Sequence, residues 1–191
     1  MFFEFLYWTV GRLIKWIFRL QPEGLENLPR HGVLLCPNHA SNWDPVLIGV
    51  CLPHNYHLRI MAKEALFHNK ALAWLIRKLG AFPVTRGTAD IQSVKTAMQV
   101  IKDGQNLLIF PEGTTIRNGL GYVDGLPPHA HSGIAVIGVR SGATLVPVFA
   151  DGPKKPFHKH RIIFGKPYTP VYTGRRGTSE EMQKIADDIL E

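Results

Sequence analysis

His39 stands five residues ahead of Asp44 in the stretch Asn38-His39-Ala40-Ser41-Asn42-Trp43-Asp44, directly after the apolar run Val33 to Cys36. An imidazole has an unperturbed pKa of about 6.5, so it can take a proton from a hydroxyl near neutral pH when a carboxylate holds the correct tautomer. Asp44 is the candidate partner. The same residue also precedes Pro45 and the apolar Val46-Leu47-Ile48, which is the pattern of a helix N-cap followed by proline at the first helical position. The two readings are compatible, because a capping carboxylate can also reach a histidine. Cys36, just before this block, allows a Cys/His nucleophile, but its place inside an apolar run favours a buried hydrophobe.

Three further places put charge at the end of an extended segment. Gly80-Ala81-Phe82-Pro83-Val84-Thr85-Arg86 ends in a guanidinium, whose fork suits phosphate oxygens; the plainer reading is a solvated surface arginine. Phe110-Pro111-Glu112-Gly113-Thr114-Thr115 carries a carboxylate and two hydroxyls on what is otherwise simply a tight turn. Lys63 is either a phosphate contact or a solvated helix start. The pairs His129/His131 and His158/His160 lack nearby thiolates or carboxylates at ligand spacing, so no metal is expected.

The elements that must position these groups alternate along the chain. Apolar runs at Val33 to Cys36, Arg59 to Ala62, Leu107 to Phe110, Thr144 to Phe149 and Ile162 to Phe164 read as strands, with Ala81 to Val84 extended around its proline. A helix starts at Pro45, another covers Lys70 to Leu79, and a third is marked by Ile91, Val94, Met98 and Ile101 before the stop at Gly104. Ile134 to Val139 reads as helical, and Thr178-Ser179-Glu180-Glu181 is a capping box before a closing amphipathic helix. Glu112 to Ser132 is a long loop rich in Gly, Pro and His, of the kind that carries function. This order predicts a single α/β domain over 23–191, built on a mostly parallel mixed sheet flanked by helices.

Residues 1–22 form a separate expectation. Met1 to Leu20 is dense in apolar and aromatic residues, and on a helical wheel Glu4, Arg12, Lys15 and Arg19 face away from Phe3, Leu6, Val10, Leu13, Ile14 and Ile17. Such a helix lies in the headgroup layer, with Trp8 and Trp16 at the boundary and its cations against anionic lipids. Interior charges and the lack of a small-residue cleavage site argue against a secretory signal. A peripheral or monotopic place on the cytoplasmic face of the cell membrane follows as an expectation. A formal charge of +7 points to an anionic partner, but scattered basic residues without a zinc-finger or RNA-binding signature exclude nucleic acid. Two cysteines, Cys36 and Cys51, make no disulfide framework.

Taken together and in order, the blocks resemble the glycerolipid acyltransferase family that includes the 1-acylglycerol-3-phosphate acyltransferases. NHASNWD resembles its NHxxxxD, GAFPVTR its G-x-F-x-x-x-R, FPEGT its FPEGTR, Val146-Pro147-Val148 its V-P-V, and MAKEALF its Ala-Lys-x-x-Leu-Phe stretch. The resemblance spans about residues 30 to 170. It implies transfer of a fatty acyl group from an acyl thioester, on coenzyme A or acyl carrier protein, to the free hydroxyl of 1-acylglycerol 3-phosphate, giving phosphatidic acid in phospholipid biosynthesis. No cofactor is implied beyond that co-substrate. Under the resemblance His39 and Asp44 are catalytic, Lys63, Arg86 and Arg117 receive the acceptor phosphate, and Glu112, Gly113 and Thr114 shape the pocket. This chain departs from the family in having Thr115 where arginine usually follows FPEGT, with Arg117 two residues later, and in having His129-Ala130-His131 where a basic patch is expected. The alternatives are acylation of glycerol 3-phosphate or another lysophospholipid, or a catalytically silent membrane-binding module.

Overall fold

The computed structural model describes residues 7–84, 91–113, 115 and 130–190, with side chains from Thr9 onward. Its centre is a seven-stranded sheet in the order β1-β7-β6-β2-β5-β3-β4. The strands are β1 (Leu20–Glu23), β2 (Val33–Pro37), β3 (Leu58–Lys63), β4 (Ala81–Val84), β5 (Asn106–Leu108), β6 (Thr144–Ala150) and β7 (His160–Phe164). All neighbours pair in parallel except β6 and β7, which run antiparallel. The expected mixed sheet is therefore present, and each apolar run named above falls in a strand, except that β5 ends at Leu108 and leaves Ile109 and Phe110 beyond it.

Helices cover both faces. A π-helical turn, Tyr7–Gly11, leads into α1 (Arg12–Ile17), followed by α2 (Asp44–Cys51), α3 (Lys70–Lys78), α4 (Ile91–Lys102), α5 (Gly133–Ser141) and α6 (Ser179–Asp188). Leu34, Cys36, Leu107 and Leu145 point into one core layer with Ile101 of α4, Ile137 of α5 and Ile185 of α6. Val33, Leu35, Leu108 and Val146 point into the opposite layer with Ile48 and Cys51 of α2. This two-sided burial is why β2 reads as an unbroken apolar run, since alternate side chains face two different dry layers. The capping box of α6 forms as its sequence predicts, with Thr178 accepting from the Glu181 amide and Glu181 accepting from the Thr178 amide.

Two differences from the sequence expectation have local causes. The N-terminal helix does not run to residue 22: it stops at Ile17, and Leu20–Glu23 instead forms an edge strand against β7. Pro22 hid that strand, and an edge is where a parallel sheet can accept a missing N–H; Pro83 occupies the other edge strand, β4, for the same reason. Asp44 does not cap α2. Trp43 holds the N-cap position without a side-chain bond, which leaves the Asp44 carboxylate for other partners. No helix among the described residues is long and apolar enough to cross a membrane.

Candidate active site

Every group that matters sits beyond the carboxyl ends of the central strands β2, β5 and β6, where open α/β sheets gather their ligands. The chain leaves β2 through Asn38, whose side chain prolongs the sheet: its amide donates to the Ala150 carbonyl at 3.0 Å and accepts from the Ala150 N–H at 2.7 Å. A side chain mimicking a strand peptide thus fixes the residue that follows. At the other end of β2, the fully buried Asn106 accepts from Val33 N–H at 3.1 Å and donates to the carbonyls of Arg30 and Tyr56. Between these two clamps the strand has little freedom to slide.

His39 is only 8% exposed, and three contacts set its orientation. Its Nδ1 faces Asp44 Oδ2 at 3.3 Å, its backbone N–H donates to Glu112 Oε2 at 3.2 Å, and its ring stacks on Phe110 with centroids 3.9 Å apart. With Nδ1 engaged by a carboxylate, the proton sits there and Nε2 keeps its lone pair. Asp44 is fully buried, and its Oδ2 also accepts the Ser41 N–H at 2.6 Å, so the turn 41–44 grips the carboxylate that orients the imidazole. Lys154 approaches the other oxygen, Oδ1, at 3.4 Å. This is a base with its orienter in place.

Glu112, which accepts the His39 backbone N–H, is 5% exposed. Burial raises its carboxyl above the usual carboxylate range, helped by the nearby Asp44 charge and opposed by the His39 N–H bond and the His39 side chain. Its role in this geometry is to hold the histidine backbone. Gly113 follows with φ +65°, and a Cβ there would come within 2.7 Å of His131 Cδ2, so the turn tolerates only glycine. Burial pushes both thiols upward, Cys51 to about 12 and Cys36 further, which rules out Cys36 as a nucleophile.

His39 opens on a cleft of about 690 Å³ that runs between α2 and the β3–α3 segment. Val46, Gly49, Val50, Leu58, Ile76 and Leu79 give it largely apolar walls. Lys63 lines it at the end of β3, exposed to solvent, together with Arg59 and Lys78. Thr115, the residue that replaces the expected arginine, also reaches the cleft, where its hydroxyl donates to Asn42 Oδ1 at 3.4 Å. The structure therefore brings His39, Asp44, Glu112 and Gly113 together and sets Lys63 along the same cleft. Arg86, Thr114, Arg117 and His129 lie outside the described residues. No cluster of three or more His, Cys, Asp or Glu positioned to hold a metal occurs among the described residues.

Residues 19–151 match the family model described as Acyltransferase. The chain belongs to this acyltransferase family. It is 34% identical over 149 residues to the 1-acyl-sn-glycerol-3-phosphate acyltransferase of Bacillus subtilis (strain 168), a match covering 74% of this chain and 70% of that protein. It is also 32% identical over 110 residues to a lyso-ornithine lipid O-acyltransferase of Pseudomonas aeruginosa, covering 56% of this chain and 40% of the other. Among solved structures, the 1-acyl-sn-glycerophosphate acyltransferase PlsC of Thermotoga maritima aligns over 98% of this chain and 76% of its own, with a TM-score of 0.68 at 22% identity. That likeness is one of fold. Family membership makes the chain an O-acyltransferase, and it gives the His39–Asp44 pair a reaction to serve.

Sequence reasoning overlooked three residues of this site: Asn38, Asn106 and Lys154. Asn38 had a signal, since a polar residue at the end of a buried strand needs partners. Lys154 had none, because Pro153-Lys154-Lys155-Pro156 reads as a solvated basic loop.

Proposed function

We propose that this chain moves a fatty acyl group from an acyl thioester, on coenzyme A or acyl carrier protein, to the free hydroxyl of 1-acylglycerol 3-phosphate, giving phosphatidic acid. The observation that carries the reading is a buried His–Asp pair opening directly onto a deep apolar cleft. His39 Nε2 takes the proton of the acceptor hydroxyl as that oxygen attacks the thioester carbonyl. Asp44 stabilises the imidazolium that forms, as an orienting carboxylate does in a catalytic triad. The tetrahedral intermediate collapses by breaking the carbon–sulfur bond, and the departing thiolate recovers the proton from His39. No covalent acyl-enzyme is required. The apolar walls of the cleft suit an acyl chain, and Lys63 supplies cationic charge for a phosphate.

The expected membrane surface has support in the exposed apolar residues of the N-terminal segment. Val10, Leu13 and Trp16 are 41%, 53% and 67% exposed, and Trp16 meets the exposed Phe157 edge-on at 5.9 Å. These side chains form one apolar ridge suited to the headgroup layer of anionic lipids on the cytoplasmic face.

Thiol release from acyl-CoA, measured with a panel of acceptors, tests the reaction. Release that depends on 1-acylglycerol 3-phosphate in wild type and vanishes in His39→Ala supports the reading. Preference for glycerol 3-phosphate or another lysolipid moves the acceptor, and equal release from both proteins overturns the base. No release from wild type with either acyl-CoA or acyl-ACP, whatever the acceptor, favours the silent membrane module.

A further inference from the structure

Lys154 is a cation with no business in a protein interior unless something there requires it, because removing an ammonium from water is expensive. Its side chain is fully buried, as is that of Asp44. The ammonium donates to the Gly152 carbonyl at 2.9 Å and lies 3.4 Å from both Asp44 Oδ1 and Asp151 Oδ1. Asp151 is in turn fixed by the Arg161 N–H on Oδ2 at 2.9 Å and by His160 Nδ1 on Oδ1 at 3.1 Å. The β6–β7 loop thus delivers one positive charge to the back of the carboxylate that orients His39.

We propose that Lys154 is a positioning residue of the catalytic pair, holding Asp44 aligned and setting how readily His39 accepts a proton. The geometry separates the two carboxylate oxygens by task. Oδ2 faces His39 and the Ser41 N–H, whereas among the described residues Oδ1 makes no hydrogen bond and has the ammonium beside it. A buried carboxylate whose second oxygen met nothing would be free to turn and would cease to order the imidazole. The ammonium prevents that. It also opposes the positive charge that His39 acquires during turnover. Asp151 moderates this influence by neutralising part of the same charge.

Other charged groups facing His39 among the described residues are Glu112 on the β5 side and, along the cleft, Arg59, Lys63, Lys78, His54 and His57. None of these touches Asp44 Oδ1. The inference rests on the acyl-transfer reading for its catalytic consequence, but its electrostatic core is measurable without turnover.

The test is histidine NMR of nitrogen-labelled protein across pH, with the resonance missing from His39→Ala identifying His39. In Lys154→Met the pH at which His39 titrates should move up by about one unit, since an opposing charge has gone. In Asp151→Asn it should move down, because the ammonium is less neutralised. The acid limb of kcat/KM should follow in the same two directions. A structural lysine would lower kcat at every pH and move neither midpoint. Unmoved midpoints, or shifts of the same sign in both variants, overturn the proposal. If Lys154→Met fails to fold, the sign in Asp151→Asn alone decides, its carboxylate being partly exposed. Should the titrations shift as stated while wild type releases no thiol, the acyl-transfer reading falls and the electrostatic assignment stands.

Discussion

Replacing Asp44 by asparagine keeps the volume of the side chain and removes its charge, which isolates what the carboxylate does for His39. In the better of two orientations the new carbonyl takes the place of Oδ2 and keeps the bonds now at 2.6 Å to Ser41 and 3.3 Å to His39, but its NH2 then faces the Lys154 ammonium. In the other the NH2 points at the Ser41 N–H and forces His39 Nδ1 to accept, which puts the imidazole proton on Nε2 where the base is needed. Even the better orientation loses the attraction between the carboxylate and the imidazolium. At the 3.3 Å separation and an effective dielectric constant of about 20, that attraction is on the order of 5 kcal/mol. At about 1.4 kcal/mol per decade this is three to four decades in kcat, comparable to the roughly 10⁴-fold loss seen for the same change in a Ser-His-Asp triad. Lys154 retains Asp151 and Gly152, so the fold should lose only about 1 to 3 kcal/mol. Steady-state thiol release and thermal unfolding, run side by side on wild type and Asp44→Asn, read both effects. A variant within tenfold of wild type in kcat, with His39→Ala inactive, would refute the role given to the carboxylate.

Further outcomes follow from other contacts. Because burial raises the Glu112 carboxyl, the native state keeps its proton to higher pH than the unfolded chain does, so this group's contribution to stability is full below the usual carboxylate range and is lost as pH rises through the elevated one. Glu112→Gln should therefore match wild type in acid and gain on it towards neutral pH in denaturant titrations; a constant difference at all pH values would contradict this. A Cβ on Gly49 meets nothing within 4 Å, and the residue lines the cleft, so Gly49→Leu should fold normally and discriminate against long acyl donors in the thiol assay, while unchanged chain-length preference would remove the cleft from the donor path. Asn106→Ala leaves the Val33 N–H and two carbonyls unpaired at a fully buried position, which should lower stability by about 3 kcal/mol in chemical denaturation. Deleting residues 1–20 should abolish sedimentation with anionic liposomes; undiminished binding would contradict the lipid role of that segment.

How far the sequence revealed this architecture varies with how local each signal is. Strands buried on both faces announce themselves, because Val33 to Cys36 is apolar whichever way each side chain points. The Thr178–Glu181 capping box is a four-residue event and was equally legible. Leu20–Glu23 was not, since a four-residue edge strand containing a proline has no apolar run, its alternation is too short to stand out, and it exists only through its pairing with β7. The same distinction governs the site. His39 and Asp44 are near neighbours in the chain, so their spacing was readable, whereas the contact of Asp44 with Lys154 joins the segment after β2 to the loop after β6, which only the pairing of those two distant strands brings together. Nothing short of the fold makes that pairing visible.

The burial of both cysteines carries a consequence for durability. With a thioester donor, each cycle releases a free thiol beside the enzyme, and once oxygen has oxidised that product to its disulfide it exchanges readily with any accessible protein thiolate. Cys36 and Cys51, the only two in the chain, are sealed in opposite core layers and held in the unreactive protonated form. The catalyst therefore offers its own by-product no partner for a mixed disulfide, and should keep its activity in air without added reductant.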